Sequence, residues 1–282
     1  MTTLLRSSLL QNTLRTVWDV AGYPTETLLW PATQCTDKKT ILLFIPGNPG
    51  LVEYYTSFLH GLHKLVASPS FEIIGGNQIQ HKVDCLDQLL KENGSNNVNF
   101  ILMGHSIGSY IAAAVLKRRP HHHISRVIAL FPTLREIALT PNGVNITRLV
   151  NRIPATVFGI TGSLISWFPP PFRQALVQWI TGQSGEGLQV TAHQLLQKSV
   201  LENAVTMAKF EMESVKELDH DFYMQHLDKF IMYYSANDKW APKEHYDYMV
   251  KHFPKGKVHL CSQNIPHAFC LGKHSTVNGT IL

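Results

Sequence analysis

The sequence predicts an α/β fold, a mostly parallel sheet with helices on both faces and one mainly helical insertion. Two observations predict it. Short runs of large apolar residues alternate with stretches of helical apolar spacing, and that rhythm is interrupted once, after Pro132, before resuming near Phe230. The 282 residues suit a single α/β domain spanning 1–282, with the insertion at about 133–225.

The elements follow in order. Ile41 to Ile45 is a buried strand ending at Pro46-Gly47, and Glu53 to Val66 carries apolar residues at helical spacing. Phe71 to Ile74 is a strand stopped by Gly75-Gly76, and Gln78 to Leu90 is a helix. Val98 to Met103, Ile107 to Leu116 and Val127 to Phe131 read as strand, helix and strand. Thr133 to about Gln225 reads as helices and loops. Phe230 to Tyr234, Lys243 to His252 and Lys257 to Leu260 then give strand, helix and strand.

Composition narrows the classes. Hydrophobic residues make up 44% and charged residues 16%, which excludes a largely disordered chain. The net charge of +5 suits an anionic membrane surface but is too small and dispersed for nucleic-acid binding. Lys117-Arg118-Arg119 is placed where cations favour a helix C-terminus. Cys35, Cys85, Cys261 and Cys270 include no C-x-x-C pair and predict reduced, mostly buried thiols rather than a disulfide framework. His121 to His123 has no second ligand set, so no metal is expected there. The first residues lack the apolar core of a secretory signal. Arg6 and Arg15 give a weak likeness to a mitochondrial presequence, and a frayed segment is the simpler expectation.

Within the insertion, Ile153 to Phe172 contains no charged residue and is bracketed by Arg152 and Arg173. Its prolines and glycines argue against one straight spanning helix. A half-buried hairpin or interfacial helix, with Trp167, Phe168 and Phe172 as lipid contacts, is expected; the alternative is an apolar lid over a pocket.

The chemistry concentrates at Gly104-His105-Ser106-Ile107-Gly108, between a strand and a helix. A G-x-S-x-G sequence in that context marks a sharp bend that exposes a serine hydroxyl above the sheet, the nucleophile of an α/β-hydrolase. The expected chain order is then serine, acid, histidine. Asp238 follows the strand Phe230 to Tyr234 and is the candidate acid, although an aspartate there also suits a turn or cap. His267 follows the last strand and is the candidate base among 15 histidines. The oxyanion hole is expected from the backbone N–H groups of Ile107 and Asn48, since Pro49 has none.

Five motifs in order carry a resemblance to a family. These are Phe44 to Gly50 with Tyr54-Tyr55; Gly104 to Tyr110; Leu130 to Thr133 with Pro141-Asn142-Gly143; Asn237 to Pro242; and Ile265 to Phe269. Together they resemble the lipid droplet-associated hydrolases, from about Thr25 to about Phe269. The resemblance implies an α/β-hydrolase fold and a Ser106–Asp238–His267 triad. It also implies residence on lipid droplets and endoplasmic reticulum, on the cytosolic face, and hydrolysis of neutral-lipid esters such as cholesteryl esters, with no cofactor. Two departures stand out. The connection at Gly75-Gly76-Asn77 is short, which removes part of a pocket wall, and the tail from Lys273 to Leu282 is short and polar where a closing helix is expected. The alternative reading is a lipid-droplet-binding protein that keeps the fold with little or no catalysis.

Overall fold

The computed structural model describes residues 13–34, 38–76, 82–94, 97–261, 263 and 265–271. Cys35, Asn77 of the short connection, and the tail from Lys273 lie outside the described residues. Eight strands form one sheet: β1 (Leu14–Val20), β2 (Tyr23–Trp30), β3 (Lys39–Ile45), β4 (Phe71–Gly76), β5 (Val98–His105), β6 (Ile124–Leu130), β7 (Phe230–Ser235) and β8 (Lys257–Cys261). The spatial order is β1-β2-β4-β3-β5-β6-β7-β8. β1 and β2 pair antiparallel, β2 joins β4 antiparallel, and the rest pair in parallel.

The parallel strands occupy the apolar runs that the sequence marks. β3 is buried from Ile41 to Ile45, and its side chains alternate between faces. Ile41, Leu43, Phe100, Leu102, Val127 and Ala129 pack on one face against α2 (Lys82–Asn93), α3 (Ile107–Arg118) and α10 (Lys243–His252). Leu42, Phe44, Ile73, Met103 and Leu130 face α1 (Thr56–Val66), which inserts Phe58, Leu59 and Leu62. A one-turn 3₁₀ helix, Val52–Tyr55, leads into α1 and accounts for the early start of the helical pattern.

The hairpin β1–β2 is not apparent from the apolar pattern. Most of β1 is exposed, so the alternation that marks a half-buried strand is missing. Its signature is the turn Ala21-Gly22, both residues at positive φ, as a two-residue hairpin loop requires. The basic cluster is also partly neutralised. Arg119 makes a bidentate pair with Asp87 (2.8 and 2.6 Å), and Lys117 pairs with Asp219 (2.5 Å). His122 bonds the same Asp87 at 2.8 Å.

Between β6 and β7 the described chain is helical: α4 (Pro141–Arg152), α5 (Ala155–Ser166), α6 (Pro170–Thr181), α7 (Gly185–Val190), α8 (Lys198–Ser214) and α9 (His220–Gln225). Thr140 caps α4, its hydroxyl accepting from the Gly143 N–H. The uncharged stretch folds as α5 and the start of α6, joined at Trp167 to Pro169; α5 packs against α8 rather than back on α6, so the two helices do not form the expected hairpin. α5 crosses α8 closely at two glycines. A Cβ on Gly159 would meet Glu202 at 2.5 Å, and one on Gly162 would meet Leu201 at 2.2 Å. The junction of the two helices and their outer sides face water. Trp167 is 81% exposed and Trp179 83%, and Phe168 and Phe172 are about half exposed. Among the described residues no helix is long and apolar enough to cross a membrane.

Candidate active site

Ser106 occupies the bend between β5 and α3, with φ 54° and ψ −125°. A non-glycine residue at positive φ costs on the order of 1–3 kcal/mol, which the packing around it must sustain. The flanking glycines allow the bend through close approach. A Cβ on Gly104 would lie 2.3 Å from the Gly108 carbonyl oxygen, and one on Gly108 would lie 2.2 Å from that of Ile45. Both contacts are against backbone, so α3 would have to move off the sheet. The Ser106 N–H donates to the Leu130 carbonyl at 3.0 Å, which ties the bend to β6.

The three side chains that the sequence nominates lie together. His267 Nε2 is 2.9 Å from Ser106 Oγ, and His267 Nδ1 is 2.6 Å from Asp238 Oδ2. Asp238 has a fully buried side chain, and its second oxygen accepts from the N–H groups of Trp240 (2.7 Å) and Ala241 (3.0 Å). Burial pushes its pKa up, but the hydrogen bond and charge of His267 and the two amides outweigh that, and the carboxyl is held below its ordinary value. A carboxylate accepting three hydrogen bonds stays ionised and fixes the ring with Nδ1 protonated, leaving Nε2 free to accept from Ser106.

Asn48 and Ile107 flank this serine. Ile107 opens α3, where the first amides have no acceptor within the helix. Asn48 follows β3 and joins Pro49 through a cis peptide. Its side chain donates to the Ala204 carbonyl of α8 at 2.9 Å. Burial raises the Glu211 carboxyl to about 8, with the Asn48 amide opposing that rise. A cavity of about 330 Å³ opens above Ser106, roofed by Leu149, Val150 and Phe158 of the helical layer and by Ala208 of α8. Among the described residues no group of three or more histidines, cysteines or acids could hold a metal ion. Cys85, Cys261 and Cys270 are free thiols.

Two residues beside the serine escape a motif-based reading. His105 lies within G-x-S-x-G at a position that the motif leaves open, and Tyr55 precedes it by 50 residues. Both are buried, and the His105 Nδ1 to Tyr55 Oη distance is 2.7 Å. The available signal was the pairing of Tyr54-Tyr55 with the Pro46 to Gly50 turn in one motif.

A crossover parallel sheet whose serine projects from the bend after the fifth strand is the architecture of the α/β hydrolases. Solved structures agree on the fold. An α/β hydrolase from a Medee basin deep-sea metagenome library superposes with a TM-score of 0.61 at 14% identity, covering 90% of this chain and 91% of that one. The haloalkane dehalogenase DbeA of Bradyrhizobium elkani gives 0.60 at 12% identity, covering 92% of each. A profile described as lipid-droplet associated hydrolase matches residues 38–77 and 71–270. The human lipid droplet-associated hydrolase is 30% identical over 270 residues, 82% of this chain and 80% of that protein. The Drosophila melanogaster protein of the same name is 28% identical over 290 residues, 91% of this chain and 92% of its own. This chain belongs to the lipid droplet-associated hydrolase family.

Proposed function

We propose that the protein is a serine esterase acting on lipid esters at the surface of lipid droplets. Ser106 attacks the ester carbonyl while His267 takes its proton, and Asp238 stabilises the imidazolium. The Ile107 and Asn48 amides receive the oxyanion. His267 then protonates the leaving alcohol, and water, activated by the same ring, releases the acid. The observation that carries this reading is the pair of short distances from His267, 2.9 Å to Ser106 Oγ and 2.6 Å to Asp238 Oδ2.

The substrate class rests on the apolar cavity and on the family. A long acyl chain suits walls of leucine, valine and phenylalanine. A neutral-lipid ester, cholesteryl ester among them, is the proposed substrate. The exposed junction of α5 and α6 supplies Trp167, Phe168 and Phe172 as an interfacial contact, with the droplet or the cytosolic face of the endoplasmic reticulum as the surface. The test is covalent labelling by a fluorophosphonate in wild type and Ser106→Ala, followed by turnover of a cholesteryl ester emulsion. Equal labelling of the two proteins refutes the nucleophile. Labelling without turnover of any long-chain ester refutes the lipid substrate.

A further inference from the structure

Three loops meet beneath Ser106: the turn after β3 that carries Asn48, the bend itself, and the segment after β8 that carries His267. Ser235 Oγ donates to the Ile265 carbonyl at 2.6 Å, which fixes the start of the last loop, and the His267 ring bonds Asp238 and Ser106. The backbone of the base itself is held by a further bond, because His105 Nε2 lies 2.8 Å from the His267 carbonyl oxygen.

The directions of these bonds can be assigned. A carbonyl oxygen only accepts, so His105 Nε2 must carry a proton and donate. The His105 ring is buried, and burial, followed by the neighbouring His267, pushes its pKa down to about 3. A neutral ring with a proton on Nε2 presents Nδ1 as an acceptor, and Tyr55 Oη is 2.7 Å away to donate. The Tyr55 oxygen in turn accepts from the Gly47 N–H at 3.2 Å, with the Cys270 thiol against it. The bonds form one directed chain, Gly47 N–H to Tyr55, Tyr55 O–H to His105, His105 N–H to the His267 carbonyl. Phe131 and Phe269 enclose the His105 ring edge-on, at centroid distances of 6.2 and 5.2 Å.

We propose that His105, oriented by Tyr55, is a positioning residue that fixes the backbone of His267 and registers it against the Gly47–Asn48 turn. The proposal rests on the reading of Ser106 and His267 as nucleophile and base. His105 edges the cavity above Ser106, but both its ring nitrogens are taken by protein partners, so it acts through the peptide that carries the base. Its loss lets the imidazole drift from the serine hydroxyl, slowing the chemical step, while a leucine of similar volume keeps the cavity wall filled.

The test uses the full chain and a fluorophosphonate probe, with the maximal labelling rate and the half-saturating probe concentration measured separately. His105→Leu removes both hydrogen bonds at similar volume. The maximal rate is expected to fall roughly tenfold, the typical effect of one buried anchor lost, with half-saturation unchanged to within about twofold. His105→Gln has an amide nitrogen as many bonds from Cβ as Nε2, so it can still donate to the His267 carbonyl and is expected to recover the rate to within about threefold. A wild-type rate in His105→Leu overturns the proposal, and so does equal impairment of the leucine and glutamine variants. If His105→Leu does not fold, Tyr55→Phe decides: it keeps the ring packing and removes only the hydroxyl, and a wild-type rate in it overturns the proposal. Ser106→Ala in the same experiment separates the two levels. Wild-type labelling there refutes the underlying nucleophile and this proposal with it, whatever position 105 does.

Discussion

Asp238→Asn isolates the part of the site on which the proposed chemistry depends. The carboxylate accepts three hydrogen bonds, two on Oδ1 from the Trp240 and Ala241 amides and one on Oδ2 from His267. An asparagine has one oxygen and one NH₂. Placing the NH₂ towards two amide N–H groups would set donors against donors, so its oxygen must take their place and its NH₂ must face His267. Nδ1 of the ring then has to accept, and the ring proton moves to Nε2, pointed at Ser106 Oγ. A ring in that tautomer cannot take the serine proton. The expected loss in labelling and ester turnover is about 10⁴-fold, near 5 kcal/mol of barrier, as for a tautomer inversion in an acid–histidine–serine site. Stability should hardly change, because both amide bonds survive. Asp238→Ala makes the contrast: it strands the two buried N–H groups at about 1–3 kcal/mol each and should lower Tm by several degrees. Thermal unfolding followed by circular dichroism reads the second effect, and probe labelling at neutral pH the first. An Asp238→Asn protein that keeps more than about a tenth of the wild-type rate would refute the reasoning, since the ring would then be oriented by something other than this carboxylate.

Three further outcomes are expected. Gly108→Ala drives a Cβ to 2.2 Å from the Ile45 carbonyl oxygen and should destabilise by about 3 kcal/mol or more, read as a fall in the urea midpoint and lost labelling. Trp167→Glu with Phe168→Ser should lower co-flotation with phospholipid-coated triglyceride emulsions about tenfold or more, while labelling in solution persists; unchanged flotation would remove the α5–α6 junction from the interface. Between pH 6.5 and 8 the contribution of Glu211 to stability should fall as pH rises. Glu211, raised by burial to about 8, stays protonated when folded and ionises when unfolded, so the unfolded state binds fewer protons there. His105 and His245, lowered to about 3 and about 4, oppose this most strongly near and below their ordinary 6.5, and Lys82, lowered by burial to about 8, opposes it near pH 8, so the comparison with Glu211→Gln isolates the Glu211 part. Glu211→Gln should flatten the slope of the urea midpoint across that window, and an equal slope in both proteins would contradict the assignment.

The parallel core was legible because its strands are buried on both faces, so continuous apolar runs such as Ile41 to Ile45 stand out without any alternation. The order of Ser106, Asp238 and His267 was legible because each follows the C-terminal end of a strand, where loops of a parallel sheet converge. β1 was not, since a mostly exposed edge strand has no burial to imprint on its sequence. Tyr55 and His105 were not, because a hydrogen bond between residues 50 positions apart leaves no local pattern, and an aromatic next to a turn reads first as core. Helix ends in the insertion were invisible for a related reason. An uncharged run from Ile153 to Phe172 has no polar face, and only packing at Gly159 and Gly162 fixes which side turns inward.

The tether between Asn48 and α8 has a consequence for any attempt to simplify the molecule. The carbonyl oxygen of Ala204 on α8 holds the Asn48 side chain at 2.9 Å, so the turn beside Ser106 is tied to the inserted layer. A sheet-and-helix core trimmed of that layer would retain Ser106, His267 and Asp238, but the Asn48 side chain would lose its partner on α8, leaving the Gly47 N–H bond to Tyr55 to hold the turn. Exchanging the appendage between relatives therefore also changes what the residue at 48 has to bond.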